Sequence, residues 1–207
     1  MVADWTGNTK SISATIGASN HSPLERAADD FYATNPAAID SLAKAGKLPK
    51  NKFVLEPACG RGHLSKRLEH YGYTVISSDL VDRGYGRTGV DFFDMKTIHP
   101  ETCILTNPPY KYCLEFAEHA VADLKADEYY AFHKLTFLEG QKRALFFKHY
   151  PPSEVLVFSK RMTVARNGDE AMFEQASAAC YAWFIWRKGD DCPPPVRLDL
   201  RKGKAND

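Results

Sequence analysis

FVLEPACGRGHLSKRLEH, residues 53–70, contains a short apolar run, a turn with two glycines and a segment with leucines four residues apart. The apolar run Phe53–Leu55 is typical of a short buried strand, and the leucine spacing is typical of one face of a helix. Gly60 and Gly62 allow the backbone to turn tightly, and they leave space for a ligand to approach it. The stretch therefore predicts a strand, a ligand-binding turn and a helix in direct succession.

Strand-like and helical segments alternate through the rest of the chain. Helical spacing covers 24–33, 37–45, 62–70, 112–125 and 139–149, and strand-like runs cover 53–55, 73–78, 103–105, 129–133, 154–159 and 177–186. This alternation predicts an α/β fold with a doubly wound, mostly parallel sheet. Ligands of such sheets bind where the strands end, at their carboxyl edge.

Length and composition predict one globular domain. The 207 residues, 44% hydrophobic and 26% charged, suffice for a single core. We assign 23–189 to the domain, and we expect flexible arms at 1–22 and 190–207, which are poor in regular patterns. The five cysteines show no C-x-x-C spacing, and no segment is apolar enough to span a membrane. We therefore expect a cytoplasmic protein with reduced thiols, no bound metal and no membrane association.

Acidic residues follow several predicted strands at the edge where the ligand is expected. Asp79 comes about twenty residues after the glycine turn, where a carboxylate can bind both hydroxyls of a ribose. Glu56 directly precedes the turn and would repel a pyrophosphate, but it suits a cation. Asp91-Phe92 combines an acid with an aromatic ring, which can bind a purine. The pattern predicts a nucleoside that carries a positive charge.

The run ILTNPPYK, residues 104–111, ends a predicted strand in Asn107-Pro108-Pro109-Tyr110. Two prolines can continue neither a sheet nor a helix, so the loop is rigid. The Asn107 side-chain oxygen and the Pro108 carbonyl can accept hydrogen bonds from an exocyclic amine, which localises its lone pair. The Tyr110 ring offers a surface on which a base can stack. We interpret the tetrapeptide as the catalytic loop of a reaction on a planar amine or amide.

These motifs resemble the class I S-adenosylmethionine-dependent methyltransferases, and N-P-P-Y resembles the small phage-type N6-adenine DNA methyltransferases. The resemblance covers about 29–188 and implies a Rossmann-like, seven-stranded sheet with an antiparallel final strand. It implies S-adenosylmethionine as the cofactor and transfer of its methyl group to adenine N6. The cofactor-binding residues that it implies are Tyr32, Thr34, Glu56, Ala58, Gly60, Asp79, Asp91, Phe92 and Asn107.

The resemblance also implies a nucleic-acid partner, with DNA favoured. Residues 130–207 carry a net charge of +4 and residues 1–129 a net charge of −3, which suits an anionic partner for the second half. Lys160, Arg161 and Arg166 lie where the family has a loop that contacts the target base, so we expect them to bind substrate. No segment is long enough for a separate recognition domain, so target recognition would come from residues 160–176, from the terminal arms, or from a homodimer or partner subunit. Methylation of RNA bases or protein glutamine, and a non-catalytic cofactor-binding subunit, remain alternatives.

Overall fold

The computed structural model describes residues 31–175, 177, 179–190 and 192. The predicted N-terminal arm, 1–22, lies outside the described residues. The predicted C-terminal arm, 190–207, also lies outside them except for Asp190 and Cys192. The fold below is therefore that of the predicted domain.

The described part contains eight strands and four α-helices. The strands are β1 (Tyr32–Thr34), β2 (Phe53–Glu56), β3 (Thr74–Ser77), β4 (Thr102–Thr106), β5 (Glu128–Lys134), β6 (Glu154–Val157), β7 (Val164–Arg166) and β8 (Tyr181–Arg187). The helices are α1 (Ala37–Lys44), α2 (His63–His70), α3 (Cys113–Glu118) and α4 (Gln141–His149), and α3 continues into a π-helical turn at His119–Asp123. Short 3₁₀ helices lie at Phe92–Asp94, Tyr110–Tyr112, Leu135–Leu138 and Glu170–Glu174.

Six strands form the main sheet, in the order β3-β2-β4-β5-β8-β6. The pairs β2–β3, β2–β4 and β4–β5 are parallel, and β8 is antiparallel to both β5 and β6. The mostly parallel sheet and the antiparallel final strand confirm the predicted fold class. The order places the carboxyl ends of β2, β3 and β4 side by side at one edge.

The seven-strand count was wrong for the described residues, because the segment after β3 forms no strand. Gly84, Gly86 and Gly89 have φ angles of 79°, 70° and 69°, which are incompatible with an extended strand. Only a single parallel bridge, between Ser78 and Arg87, extends the sheet at this edge.

Helices cover both faces of the sheet. The buried residues of α1 and α2 pack on one face with Val54, Leu105 and Trp183. Those of α3 and α4 pack on the other face with Leu55 and Trp186. Both indoles also donate a hydrogen bond to a backbone carbonyl, Trp183 to Ala38 at 3.2 Å and Trp186 to Tyr150 at 3.0 Å. The final strand therefore anchors both helical layers.

A separate two-stranded sheet lies beside the main one. Strand β1 pairs antiparallel with β7, with Tyr32 opposite Arg166 and Thr34 opposite Val164. Of the predicted helix at 24–33, residues 24–30 lie outside the described residues; the rest is wrong, because Phe31 is irregular and Tyr32 and Ala33 belong to β1, where pairing with a distant strand overrides local preference. Among the described residues, no helix is long and apolar enough to cross a membrane.

Candidate active site

A cavity of about 590 Å³ opens at the carboxyl ends of β2, β3 and β4. Its walls contain every residue predicted for the cofactor and for the catalytic loop: Tyr32, Thr34, Glu56, Ala58, Gly60, Asp79, Asp91, Phe92, Asn107, Pro108, Pro109 and Tyr110. These residues come from five separate segments of the chain. The fold thus brings the predicted site residues together in one place.

The glycine turn forms one wall of the cavity. Gly60 and Gly62 have φ angles of 54° and 78°, in the left-handed region that favours glycine. A Cβ atom on Gly60 would lie 2.5 Å from the Phe31 ring, which also lines the cavity. A Cβ atom on Gly62 would collide with the Tyr85 ring, so both glycines are required by the backbone conformation and by close packing.

Asp79 connects the glycine turn to the loop after β3. Its Oδ2 accepts a hydrogen bond from the Gly60 N–H at 2.8 Å, and its Oδ1 accepts one from the Val81 N–H at 2.9 Å. The residue is only 9% exposed, so these bonds fix the carboxylate. A carboxylate has about four acceptor positions, so two remain for hydroxyl groups of a ligand.

Glu56 lies at the end of β2 and is 2% exposed. Burial raises the pKa of Glu56 to about 8, while a hydrogen bond from the Ser65 hydroxyl opposes that shift. The Ser65 oxygen lies 2.7 Å from the Ser77 oxygen, which extends the hydrogen-bonded group to β3. A cation in the cavity would favour the ionised form of Glu56 and lower its pKa again.

This pKa predicts how stability changes with pH. In the folded protein Glu56 keeps its proton up to about pH 8, whereas in the unfolded chain it loses the proton near the ordinary pKa of 4.5. Between these pH values, folding is therefore accompanied by the uptake of one proton. The free energy of unfolding should therefore fall as pH rises from about 4.5 to 8. Glu56→Gln keeps an oxygen acceptor for Ser65 and should be more stable than wild type at high pH, by on the order of a few kcal/mol.

Urea denaturation of both proteins at pH 5 and pH 8.5 measures this difference. We expect the variant to gain stability relative to wild type at the higher pH. If the free energy of unfolding changed equally with pH in the two proteins, the prediction of a raised Glu56 pKa would be wrong.

The acid and aromatic pair after the glycine-rich loop lies in the wall of the cavity. Asp91 lines the cavity, and its Oδ1 accepts a hydrogen bond from the Phe93 N–H at 2.9 Å. Phe92 is 2% exposed and packs against Phe116, with ring centroids 4.8 Å apart. Phe93 is half-buried and lines the same cavity. Phe93 is thus the more accessible of the two rings for a flat ligand.

Asn107 has a fixed amide orientation with one free acceptor. Its Nδ2 donates a hydrogen bond to the Tyr32 carbonyl at 2.8 Å, so the amide oxygen faces the other way. That Oδ1 atom is buried and has no hydrogen-bond partner among the described residues. Because an unpartnered buried oxygen is costly, a ligand that donates a hydrogen bond here would relieve the cost.

The rest of the catalytic loop is held by its own contacts. The Pro109 carbonyl accepts a hydrogen bond from the Tyr112 N–H at 2.9 Å. The Tyr110 hydroxyl donates to the Tyr181 hydroxyl at 3.0 Å, and the Tyr110 ring stacks on Tyr32 with centroids 4.9 Å apart. One face of the Tyr110 ring is therefore already covered by Tyr32, so a base would have to stack on the other face.

The three predicted substrate-binding cations do not line this cavity. Lys160 and Arg161 are exposed and line a second cavity of about 770 Å³ between β6 and the 3₁₀ helix at Glu170–Glu174. Arg161 donates a hydrogen bond to the Ser177 carbonyl at 3.1 Å. Arg166 lies in β7, paired with Tyr32.

Several cavity residues were not predicted from the sequence: Phe31, His63, Arg83, Phe93, Tyr112 and Phe116. His63 contacts Glu170, with 2.9 Å between Nε2 and Oε1, so it joins the glycine turn to the segment after β7. Phe93 directly follows the predicted Phe92, and Tyr112 lies two residues after the predicted Tyr110, so closeness in sequence was a usable signal for both. Phe31 directly precedes the predicted Tyr32 and carried the same signal, whereas Arg83 carried none, because its position depends on the irregular loop after β3.

No family model and no curated protein sequence matches the chain. Among solved structures, the fold resembles the 23S rRNA methyltransferase ErmE, with a TM-score of 0.54, 15% identity, and coverage of 81% of this chain and 73% of that chain. It also resembles PH1948 from Pyrococcus horikoshii, provisionally described as an RNA methyltransferase, with a TM-score of 0.51, 12% identity, and coverage of 73% of this chain and 81% of that chain. At these identities the likeness defines the fold: it is the Rossmann-like fold found in methyltransferases.

Proposed function

We propose that the protein is an S-adenosylmethionine-dependent methyltransferase that acts on the exocyclic N6 amine of adenine in DNA. The observation that carries this proposal is the buried Asn107 Oδ1, an acceptor without a partner among the described residues. It lies in the same cavity as Glu56 and Asp79, which suit a cationic nucleoside. An amine-binding acceptor and a cofactor pocket in one cavity are what this reaction needs.

The cofactor would use the acidic part of the cavity. The free acceptor positions of Asp79 would bind the two ribose hydroxyls, and the rings near Asp91 would hold the adenine. The sulfonium is a cation, and the buried Glu56 carboxyl is well placed to respond to it. Tyr32 and Thr34 lie on the β1 wall, where they would contact the methionine portion.

The reaction would proceed by direct transfer. The nitrogen lone pair attacks the methyl carbon, the carbon–sulfur bond breaks, and the cationic sulfonium becomes a neutral thioether. The nitrogen then releases one proton to solvent. Hydrogen bonds from the amine to Asn107 Oδ1 and to the Pro108 carbonyl would localise the lone pair, and they strengthen as the nitrogen becomes tetrahedral.

RNA is the second candidate substrate. The fold likeness to a 23S rRNA methyltransferase favours it, whereas the N-P-P-Y tetrapeptide favours DNA adenine. With either substrate, Asn107 Oδ1 and the Pro108 carbonyl would accept hydrogen bonds from an exocyclic amine. A second subunit that supplies target recognition is compatible with either.

Transfer of a labelled methyl group distinguishes these candidates. The purified protein is incubated with methyl-labelled S-adenosylmethionine and with genomic DNA, total RNA or a protein extract, in separate reactions. We expect the label in DNA. Label in RNA alone would support the second candidate, and label in protein alone, or in none of the three, would overturn the proposal.

Salt dependence tests the nucleic-acid interface. We propose that Lys160 and Arg161 contact phosphates, so affinity for DNA should fall with salt, with a slope of about −0.7 to −0.9 per phosphate contact. Lys160→Glu combined with Arg161→Glu should weaken DNA binding and leave cofactor binding unchanged.

Lys44→Glu combined with Lys52→Glu makes the same change in net charge on exposed residues of the first half. This control should bind DNA nearly as wild type does. A flat salt dependence of wild type, or equal losses in the two double variants, would contradict the proposed interface.

A further inference from the structure

Besides Tyr181, whose ring centroid lies 6.3 Å away and whose hydroxyl accepts its hydrogen bond, the Tyr110 ring has two closer neighbours that compete with a base for its faces. The Tyr32 ring stacks on it with a centroid distance of 4.9 Å and an interplanar angle of 29°. The Lys134 ammonium lies 4.6 Å from the Tyr110 centroid. A base that stacks on Tyr110 must therefore displace one of them.

Tyr32 is the more firmly held of the two neighbours. It is paired with Arg166 in the small sheet, and its carbonyl accepts the hydrogen bond from Asn107 Nδ2. Lys134, in contrast, is the last residue of β5, and its ammonium lies at the end of a flexible four-carbon chain. Lys134 is therefore the neighbour that can move at low cost.

Lys134 also lacks an acidic partner. It is half-buried, and within the described ranges no carboxylate forms an ion pair with it. Lys47 and Lys188, away from the cavity, pair with Glu154 at 2.8 Å and with Asp127 at 3.2 Å. A cation over the face of an aromatic ring is attracted only by the ring quadrupole. A phosphate, which forms charge-assisted hydrogen bonds, is a stronger partner.

We propose that Lys134 binds a phosphate next to the target nucleotide and, in doing so, leaves the Tyr110 ring to the target base. This inference rests on the proposed function. A nucleotide whose amine reaches Asn107 carries its phosphates out toward the mouth of the cavity. Tyr110 is three residues from Asn107 in the catalytic loop, and the Lys134 ammonium lies over the Tyr110 ring. Lys134 would therefore meet that phosphate. Lys134 is a substrate-positioning residue and does not touch the reacting atoms.

Neutral phosphate analogues test this contact directly. The substrate is an oligonucleotide that the protein methylates, made once with ordinary linkages and once with methylphosphonates on both sides of the target base. We expect the KM of wild type to rise about tenfold with the neutral linkages, the low end for a hydrogen bond to a charged group. Lys134→Met should raise KM about tenfold on the ordinary oligonucleotide, show no further response to methylphosphonates, and keep its kcat.

Lys52→Met is the matched control. Lys52 also lies over a ring, 4.0 Å from the Tyr73 centroid, but directly before β2, at the edge of the sheet opposite the cavity. The KM of this variant should rise with methylphosphonates as that of wild type does. Lys134→Arg keeps the positive charge, so its KM should show most of the same rise. Lys134→Gln is a second neutral variant in case Lys134→Met does not fold.

The possible failures are distinguishable. Full methylphosphonate sensitivity in Lys134→Met, or none in wild type, would overturn the inference while methyl transfer itself continues. Absence of methyl transfer to every nucleic acid would overturn the proposed function, and the inference with it.

Discussion

Replacement of Asn107 by alanine is expected to lower kcat for methyl transfer by roughly 10²–10³-fold, the usual effect of losing one preorganised transition-state hydrogen bond. The side-chain oxygen is buried and has no partner among the described residues, so it is available to the substrate amine. Because the hydrogen bond strengthens as the nitrogen becomes tetrahedral, the loss should appear in kcat more than in KM. Single-turnover kinetics with saturating cofactor measure it.

A second variant separates the two roles of the Asn107 amide. Asn107→Asp keeps oxygen acceptors but loses the Nδ2 donor to the Tyr32 carbonyl. If the oxygen is the catalytic atom, this variant should retain more activity than Asn107→Ala. Cofactor affinity in Asn107→Ala should stay close to that of wild type. Near-normal turnover in a folded Asn107→Ala protein would mean that the loop is only a turn.

Replacement of Asp79 by alanine is expected to weaken S-adenosylmethionine binding by about 10- to 150-fold, from about 1.5–3 kcal/mol for hydrogen bonds to a charged group. The carboxylate would bind the ribose hydroxyls, and it also fixes the glycine turn through the Gly60 and Val81 N–H groups. Loss of the ribose contacts and loss of the bonds that fix the glycine turn would both reduce the affinity for S-adenosylmethionine. Titration calorimetry measures the dissociation constant.

Asp82→Ala is the control for this change. Asp82 is three residues away and exposed, and its Oδ1 accepts a hydrogen bond from the Gly84 N–H at 2.9 Å. It makes the same kind of contact outside the cavity, so its loss should leave cofactor affinity unchanged. An unchanged affinity in folded Asp79→Ala would remove Asp79 from the cofactor site.

The sheet and the main cavity were predictable because their signals are local. Each core strand is a short apolar run, and the polar residues that follow β2, β3 and β4 meet at one edge once the strands are parallel. Asp79 and Asn107 could therefore be placed in one site before any coordinates existed. The local signals gave six strand-like runs, and the count of seven came from the family resemblance; three glycines with positive φ prevent the segment after β3 from extending.

The parts that could not be predicted depend on contacts between distant segments. Strand β1 exists because Tyr32–Thr34 pairs with β7, more than a hundred residues later. The position of Lys134 over Tyr110 likewise depends on how β5 and the catalytic loop meet. The orientation of the Asn107 amide follows from the Tyr32 carbonyl, which only the folded chain brings near.

The position of the methyl group in the product tests the central claim most directly. DNA methylated by the wild-type protein is digested to nucleosides and analysed by mass spectrometry against authentic standards. The account predicts N6-methyladenine, formed roughly 10²–10³-fold more slowly when Asn107→Ala replaces wild type. Product methylated on a ring carbon, such as 5-methylcytosine, or on a ring nitrogen of adenine would contradict it.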